Sequence, residues 1–414
     1  WLWLDSRSSD IVKKLSKLNS EKLRFDLTGT GIFAGQQSSQ ISYMEKNNPE
    51  ILDQSSTAFH CKDWIYFKLT NVRATDPSEA CFTFGNFRTR QYDENVIDGL
   101  GLSKRKNLLP DIIDGSKVTH PLSDNVAALI GLNSGTPIAL GYIDAVCTFL
   151  GSGGLDVNKD VGNSILGTTG GHMRATEISQ IVPNSNLKSG YVMLLPIENL
   201  ALQFQTNMSG TLNIDWLKFL IKDIFNDFDL NLNDNEFIKK IDKWLTKAKP
   251  GKLIYHPYIS EAGERGPFVN TKAKASLIGL RSNHKFPEIV RSIVEGLCFA
   301  SRECYTAIGK IPNEIRLVGG GSQSKVLREI FSSVLKVSIR TSNRKESGAA
   351  GAAMIGAMAA GIYKDWDSCI EDWVDPFLGK LEKNNKNLVQ VYDDVYNIYL
   401  DSRNRIKPIW EKIN

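Results

Sequence analysis

Apolar positions recur at helical spacing over several long stretches of this chain. Around residues 287–308, Ile289, Ile293 and Leu297 repeat every four residues with Val290 and Val294 beside them. That spacing predicts a long helix with one apolar face, and Pro287 suits its first turn. Similar spacing predicts helices over about 214–225 and 235–247, and helical character at 40–52. Residues 60–69 form another apolar-patterned piece. A final helix near 392–412 carries Tyr392, Val395, Tyr396 and Tyr399, a stripe that reads as core packing. Shorter apolar runs are read as strands. SILGTTGGHMRAT predicts two short strands around a Gly/Thr turn, and IALGYI (138–143) predicts a strand delivering Asp144 at its C-terminal end. Residues 71–93 read as a loop zone.

The most telling stretch is 314–335. A short apolar run, Ile315 to Val318, enters three glycines, and a polar patch then opens an amphipathic helix. Glycines let a backbone approach a flat or charged ligand without a Cβ in the way, and a helix N-terminus offers free N–H groups to anions. Strand, glycine turn and helix together are the layout of a nucleotide site in an α/β protein. A helix rich in small residues, ESGAAGAAMIGAMAAG, follows at 346–361, and the Gly-Thr turn LGTTGGH precedes at 166–172.

With 414 residues, 42% of them hydrophobic, the chain can build two domains with substantial cores. Its character changes near the loop GSGGLDVNKDVG, which places the boundary between 1–152 and 153–414. The 50 basic and 46 acidic residues leave a net charge of +4. With no basic cluster interleaved with aromatics, nucleic acid is not an expected partner. Six cysteines without a CxxC pair suggest reduced thiols in a cytoplasmic enzyme. No apolar run reaches membrane-spanning length, so no membrane partner is expected either.

The run ASLIGL, seven residues, then EIVRSIVEG (275–296) resembles the second signature of the FGGY carbohydrate kinases. PYISEAGERGPF resembles the family's Gly-Glu-Arg turn at Gly263, Glu264 and Arg265. VGGGSQSKVLRE is similar to its adenine-side loop, KESGAAGAAMIGAMAAG to the helix that follows, and WLWLDSRS to its Trp-x-Asp-x-Arg strand. The likeness runs along essentially the whole chain, and GYIDAVCTFLG and TLNIDWL look closest to the L-xylulose and erythritol kinase branch.

The resemblance implies an α/β fold of two actin-like (ribonuclease-H-like) domains with an interdomain active-site cleft. It implies ATP and Mg²⁺ as cofactors, a small sugar or polyol as substrate, and homodimers among the assemblies. Asp144, in Gly-Tyr-Ile-Asp, falls where the family's catalytic base follows Gly-x-x; it would accept the hydroxyl's proton and contact the substrate. Gly167, Thr168, Thr169 and Gly170 match a phosphate loop whose N–H groups and hydroxyls can bond phosphate oxygens. Gly320, Gly321, Gln323 and Lys325 correspond to the loop beside adenine and ribose. Trp3 and Asp5 lie where members place an aromatic and a carboxylate near the substrate, and a carboxylate can accept paired hydroxyl hydrogens. In GIFAGQQSSQISYM, Gln40 stands where Lys is common and Tyr43 where Trp is common. The amides of Gln36, Gln37 and Gln40 could therefore meet hydroxyls. His172 reads as a structural histidine.

The start WLWLDSRSS has no initiator Met and resembles the middle of a strand. Members begin with an Asp-x-Gly-Thr turn that grips phosphate. On this reading the first domain is incomplete by about 80 residues, and a chain of this extent is expected to be inactive or feeble by itself. The competing reading is a non-catalytic, actin-like protein that binds nucleotide and sugar. A chaperone-like ATPase of the same superfold is disfavoured by the Gly-Glu-Arg turn and the 275–296 signature.

Overall fold

The apolar stripe around residue 290 forms the helix Phe286–Ala307, with Pro287 in its first turn. The Lys285 N–H donates to the Glu288 carboxylate at 3.0 Å, satisfying one of the backbone groups that a helix start leaves free. The computed structural model describes residues 1–2, 5–18, 20–156, 158–183, 189–230 and 232–413. It divides into two compact units. One comprises Trp1–Val157, Ala175–Phe204 and Arg344–Pro376; the other comprises Asn158–Arg174, Gln205–Asn343 and Phe377–Asn414. The expected boundary at 152–153 lies beside the first crossing, after which the chain returns twice to the first unit.

In the second unit, the strand Glu314–Val318 runs parallel to Val161–Leu166 on one side and to Ser338–Thr341 on the other. Val161–Leu166 turns back antiparallel into the strand that starts at Gly170, as the Gly/Thr turn predicts. Residues 205–207 extend the sheet beyond it. Ile315 and Leu317 face Ile293, Val294, Phe299, Phe331, Tyr392 and Tyr399 in one continuous core. The tyrosine stripe of the last helix, Lys386–Trp410, is therefore core packing as expected. Helices Leu212–Asp227 and Asp234–Lys247 match the periodic segments within three residues.

The first unit is built from shorter pieces. Helices Gln37–Asn47, Cys61–Thr70, Pro77–Thr83, Asp144–Gly151 and Ser347–Ala359 are joined by two- and three-residue strand pairs. Ile41, Leu52, Phe84, Val96 and Leu100 form an apolar cluster within it.

Two expectations are corrected here. The 71–93 loop zone contains the helix Pro77–Thr83, capped by the Asp76 carboxylate, which accepts the Ser78 N–H. Six of its seven residues are buried, so its sequence shows no amphipathic period. The strand predicted at 138–143 is only Pro137–Ala139, paired with Thr119–Pro121, and the chain then runs as a loop to Asp144. Trp3 and Leu4 of the strand-like start lie outside the described residues, and the helix Ser9–Leu15 follows it. All six cysteines are free, and five are buried. Among the described residues, no helix is long and apolar enough to cross a membrane.

Candidate active site

The parallel register sets Val318 opposite Ile165, so the turns that leave these two strands lie side by side. Gly319 takes φ +93° there, and a Cβ on it would come within 2.7 Å of the Leu166 carbonyl oxygen. Only glycine combines that backbone conformation with so close an approach. A third turn closes on the first: the Thr211 N–H donates to the Gly167 carbonyl at 2.8 Å. A Cβ on Gly210 would strike the carbonyls of Gly167 and Thr168.

These turns line an open pocket. Its glycine wall is Gly167, Gly170, Gly210 and Gly321. Leu166, Leu297, Leu327 and Phe331 give an apolar side, and Ser209, Thr211 and Ser301 add hydroxyls. Glycine on three sides with apolar walls opposite suits a flat, partly charged ligand, so the residues fit a nucleotide. Among the described residues no cluster of His, Cys, Asp and Glu could hold a metal ion. Magnesium needs only one or two carboxylates besides a nucleotide's phosphates.

Of the candidates read from sequence, Gly167, Gly170 and Gly321 line this pocket. Thr168, Thr169, Gly320, Gln323 and Lys325 are not on its wall. Thr168, Gly320, Gln323 and Lys325 are solvent-exposed, with Lys325 opening the helix Lys325–Leu335. The reading missed Ser209, Gly210 and Thr211. Their signal was a second strand, glycine turn and helix, Leu200–Asn207 into Leu212–Asp227.

Glu264, noted only as part of a turn, holds that missed segment. One carboxylate oxygen accepts the Met208 N–H at 2.7 Å and the Arg265 N–H at 2.8 Å; the other accepts the Ser209 hydroxyl at 2.7 Å. Burial pushes its pKa up against these bonds.

In the first unit, Asp144 is the first residue of the helix Asp144–Gly151 and its side chain is exposed. A helix start is favourable ground for a carboxylate. Asp5 is paired within its own segment. Arg7 grips both of its oxygens, with Nε 3.0 and 2.9 Å away, and this hydrogen-bonded pairing lowers the Asp5 pKa to about 2. The Arg7 guanidinium in turn lies 3.7 Å from the Trp1 ring. Trp3 lies outside the described residues.

The Gln36 amide is buried, donating to the Phe82 carbonyl and accepting the Phe33 N–H, a structural role. The Gln40 amide donates to the Leu2 carbonyl at 3.2 Å, and Tyr43 packs edge-on against Trp1.

His172 is structural, as the sequence suggested. It is fully buried behind the phosphate-loop candidate, with Nδ1 3.0 Å from the Ser164 hydroxyl. Burial lowers its pKa to about 3 and that of His256 to about 4. Both rings are therefore neutral in the folded state while an unfolded chain protonates them near 6.5. Between pH 6.5 and 4 the unfolded state binds more protons at these two rings, so their contribution to stability falls with falling pH, while buried carboxylates with raised pKa such as Glu264 and Glu295 act the other way. The expected loss is about 1.4 kcal/mol per pH unit per histidine. Urea midpoints at pH 7.5, 6 and 5 check this. The histidine part is isolated by repeating the series with His256→Gln, whose midpoint should fall less between pH 6 and 5 than the parent's; an unchanged pH slope would show that the native imidazole takes up a proton.

The chain matches models of the FGGY family of carbohydrate kinases, the N-terminal domain over residues 1–151 and the C-terminal domain over 162–360. It is 48% identical over 413 residues to an erythritol kinase of Brucella abortus, covering 100% of this chain and 79% of that one. A xylulose kinase of Staphylococcus xylosus is 24% identical over 404 residues, covering 96% and 79%. A solved, ligand-bound xylulose kinase of Lactobacillus acidophilus superimposes with a TM-score of 0.87 at 22% identity, covering 100% of this chain and 81% of that one. The fold is thus the two-domain, actin-like α/β fold expected from the sequence. With both domain models and a near relative matched along its length, the chain belongs to the FGGY family of carbohydrate kinases.

Proposed function

We propose that the protein catalyses ATP-dependent phosphorylation of a primary hydroxyl of a small polyol, erythritol before glycerol or a ketopentose such as xylulose. The observation that carries this reading is the 48% identity to an erythritol kinase over 413 residues. The xylulose kinase relatives lie near half that identity. These relatives are kinases, which leaves the non-catalytic alternative without support.

ATP supplies the transferable phosphoryl group, with Mg²⁺ offsetting its charge. Residues 153–414 carry the nucleotide side. The turn from Gly167 to Gly170 and the loop at Gly320 and Gly321 present N–H groups to phosphate oxygens. The Thr168 and Thr169 hydroxyls, the Gln323 amide and the Lys325 ammonium, on the same two loops but off the pocket wall, meet the nucleotide's outer groups. Residues 1–152 carry the substrate side, including Trp3 and Asp5. Asp144 is the general base: its exposed carboxylate accepts the proton that the hydroxyl loses as its oxygen attacks phosphorus.

Coupled measurement of ADP release across erythritol, glycerol, D-xylulose and L-xylulose tests the assignment. Erythritol should lead in kcat/KM by at least about tenfold, the scale on which one hydroxyl or carbon discriminates. Comparable values for xylulose would remove erythritol from the proposal.

A further inference from the structure

The helix that begins at Asp144 starts from a loop, and one side chain tethers that loop. The Ile143 N–H donates to the Ser78 hydroxyl oxygen at 3.0 Å. Ile143 is the N-cap of the helix, and its carbonyl accepts the N–H groups of Val146 and Cys147 at 2.9 and 3.1 Å. One residue, Ile143, therefore connects Ser78, through its N–H, to the helix that presents Asp144, through its carbonyl.

The polarity of the tether is dictated from behind. The Ser78 hydroxyl donates to the Asp76 carboxylate, which as an anion can only accept. With its proton committed to Asp76, the hydroxyl turns a lone pair toward Ile143. The other Asp76 oxygen lies 2.6 Å from the Lys62 ammonium, which also pairs with Asp63 at 2.5 Å. Ser78, Asp76 and Asp63 have no solvent-exposed surface. A buried carboxylate balanced by a lysine and fixed by hydrogen bonds has one geometry open to it, because any other leaves a polar group unpaired away from water.

The loop is also anchored further back, where Leu140 and Tyr142 are buried and the Tyr142 hydroxyl donates to Asp114 at 2.9 Å; the Ser78 bond is what holds the backbone where the helix begins. Residues 140–143 belong to no strand, and no atom lies within 4 Å of where a Cβ on Gly141 would stand.

We propose that Ser78, polarised by Asp76 and Lys62, is a positioning residue for phosphoryl transfer: it fixes the Tyr142–Ile143 peptide at the start of the helix and with it the attitude of the Asp144 carboxylate. The inference rests on Asp144 being the base. Its signature is a loss in kcat that operates through Asp144, leaving nucleotide binding alone.

The test is a set of variants assayed for kcat, for the KM of ATP and of erythritol, and for thermal midpoint. Ser78→Ala should lower kcat by about 30- to 100-fold, the scale of an ångström's misplacement of a catalytic group, with the KM of ATP unchanged. Ser78→Thr keeps the hydroxyl and should recover most of the rate. Ser78→Cys keeps the volume and weakens the hydrogen bond; it should lose kcat in the same direction and guards against an Ala variant that does not fold. Added to Asp144→Asn, Ser78→Ala should cause no further loss. A kcat within twofold in both Ser78→Ala and Ser78→Cys, or losses that multiply in the double variant, overturns the positioning role. Should Asp144→Asn alone keep the parental rate, it is the base assignment that fails, and that result is separate from either outcome at Ser78.

Discussion

Asp144→Asn should lower kcat by about 10³-fold while the protein stays folded and continues to bind nucleotide. The amide is isosteric with the carboxylate and can still accept a hydrogen bond from the substrate hydroxyl. It cannot take the proton away, and general base catalysis contributes about 10² to 10⁴ in rate. The side chain is exposed at the first position of its helix, so no packing is lost. The structural effect is confined to one charge near a helix N-terminus, worth about 0.3–1 kcal/mol. The pocket formed by Gly167, Gly170, Gly210 and Gly321 belongs to the other compact unit, and its affinity for ATP should not change. Steady-state kinetics with erythritol, paired with calorimetric titration of a non-hydrolysable ATP analogue, separates these quantities. A variant within tenfold of the parental kcat would require another base.

How far the sequence revealed this arrangement depended on burial. Helices with one wet face, such as Phe286–Ala307 and Asp234–Lys247, declare themselves through period, and their ends were legible to within a few residues. The helix Pro77–Thr83 is buried almost all round and shows no period. Its only signal was Asp76 followed by Pro77, a cap and a first-turn proline, within a stretch rich in turn-forming residues. That oversight also hid Ser78 and its bond to Ile143. Single glycines were legible where a strand ran into them, as at Gly167 and Gly321. The turn at Ser209–Thr211 and its support by Glu264 depend on contacts 55 or more residues apart in sequence, which no local pattern encodes. Asp5 was legible as a carboxylate, but its engagement by Arg7, two residues on, follows from side-chain geometry.

The small-residue segment at 346–361 offers the sharpest contrast between the two kinds of reading. Sequence tied it to the nucleotide loop that precedes it. The structure packs its helix, Ser347–Ala359, backbone to backbone against the helix that begins at Asp144. A Cβ on Gly351 would strike the Cys147 carbonyl oxygen and lie 2.8 Å from the Cys147 Cα; one on Gly151 would strike the Ser347 carbonyl and lie 2.7 Å from the Gly351 nitrogen. The glycines are a contact surface, and the helix they receive is the one carrying the proposed base.

Gly351→Val should therefore act twice. Backbone atoms cannot rotate out of the way as a side chain can, so the helices must separate, at a cost of about 1–3 kcal/mol or more. The separation also moves Asp144, and kcat should fall by about 100-fold. Gly356→Ala, five residues along the same helix, is the control. No atom lies within 4 Å of its would-be Cβ, so the change should stabilise the protein by about 0.8–1 kcal/mol through helix propensity alone. Urea midpoints and kcat measured for both variants decide the point. If Gly351→Val matched Gly356→Ala in stability and rate, the close crossing would not be what these glycines are for.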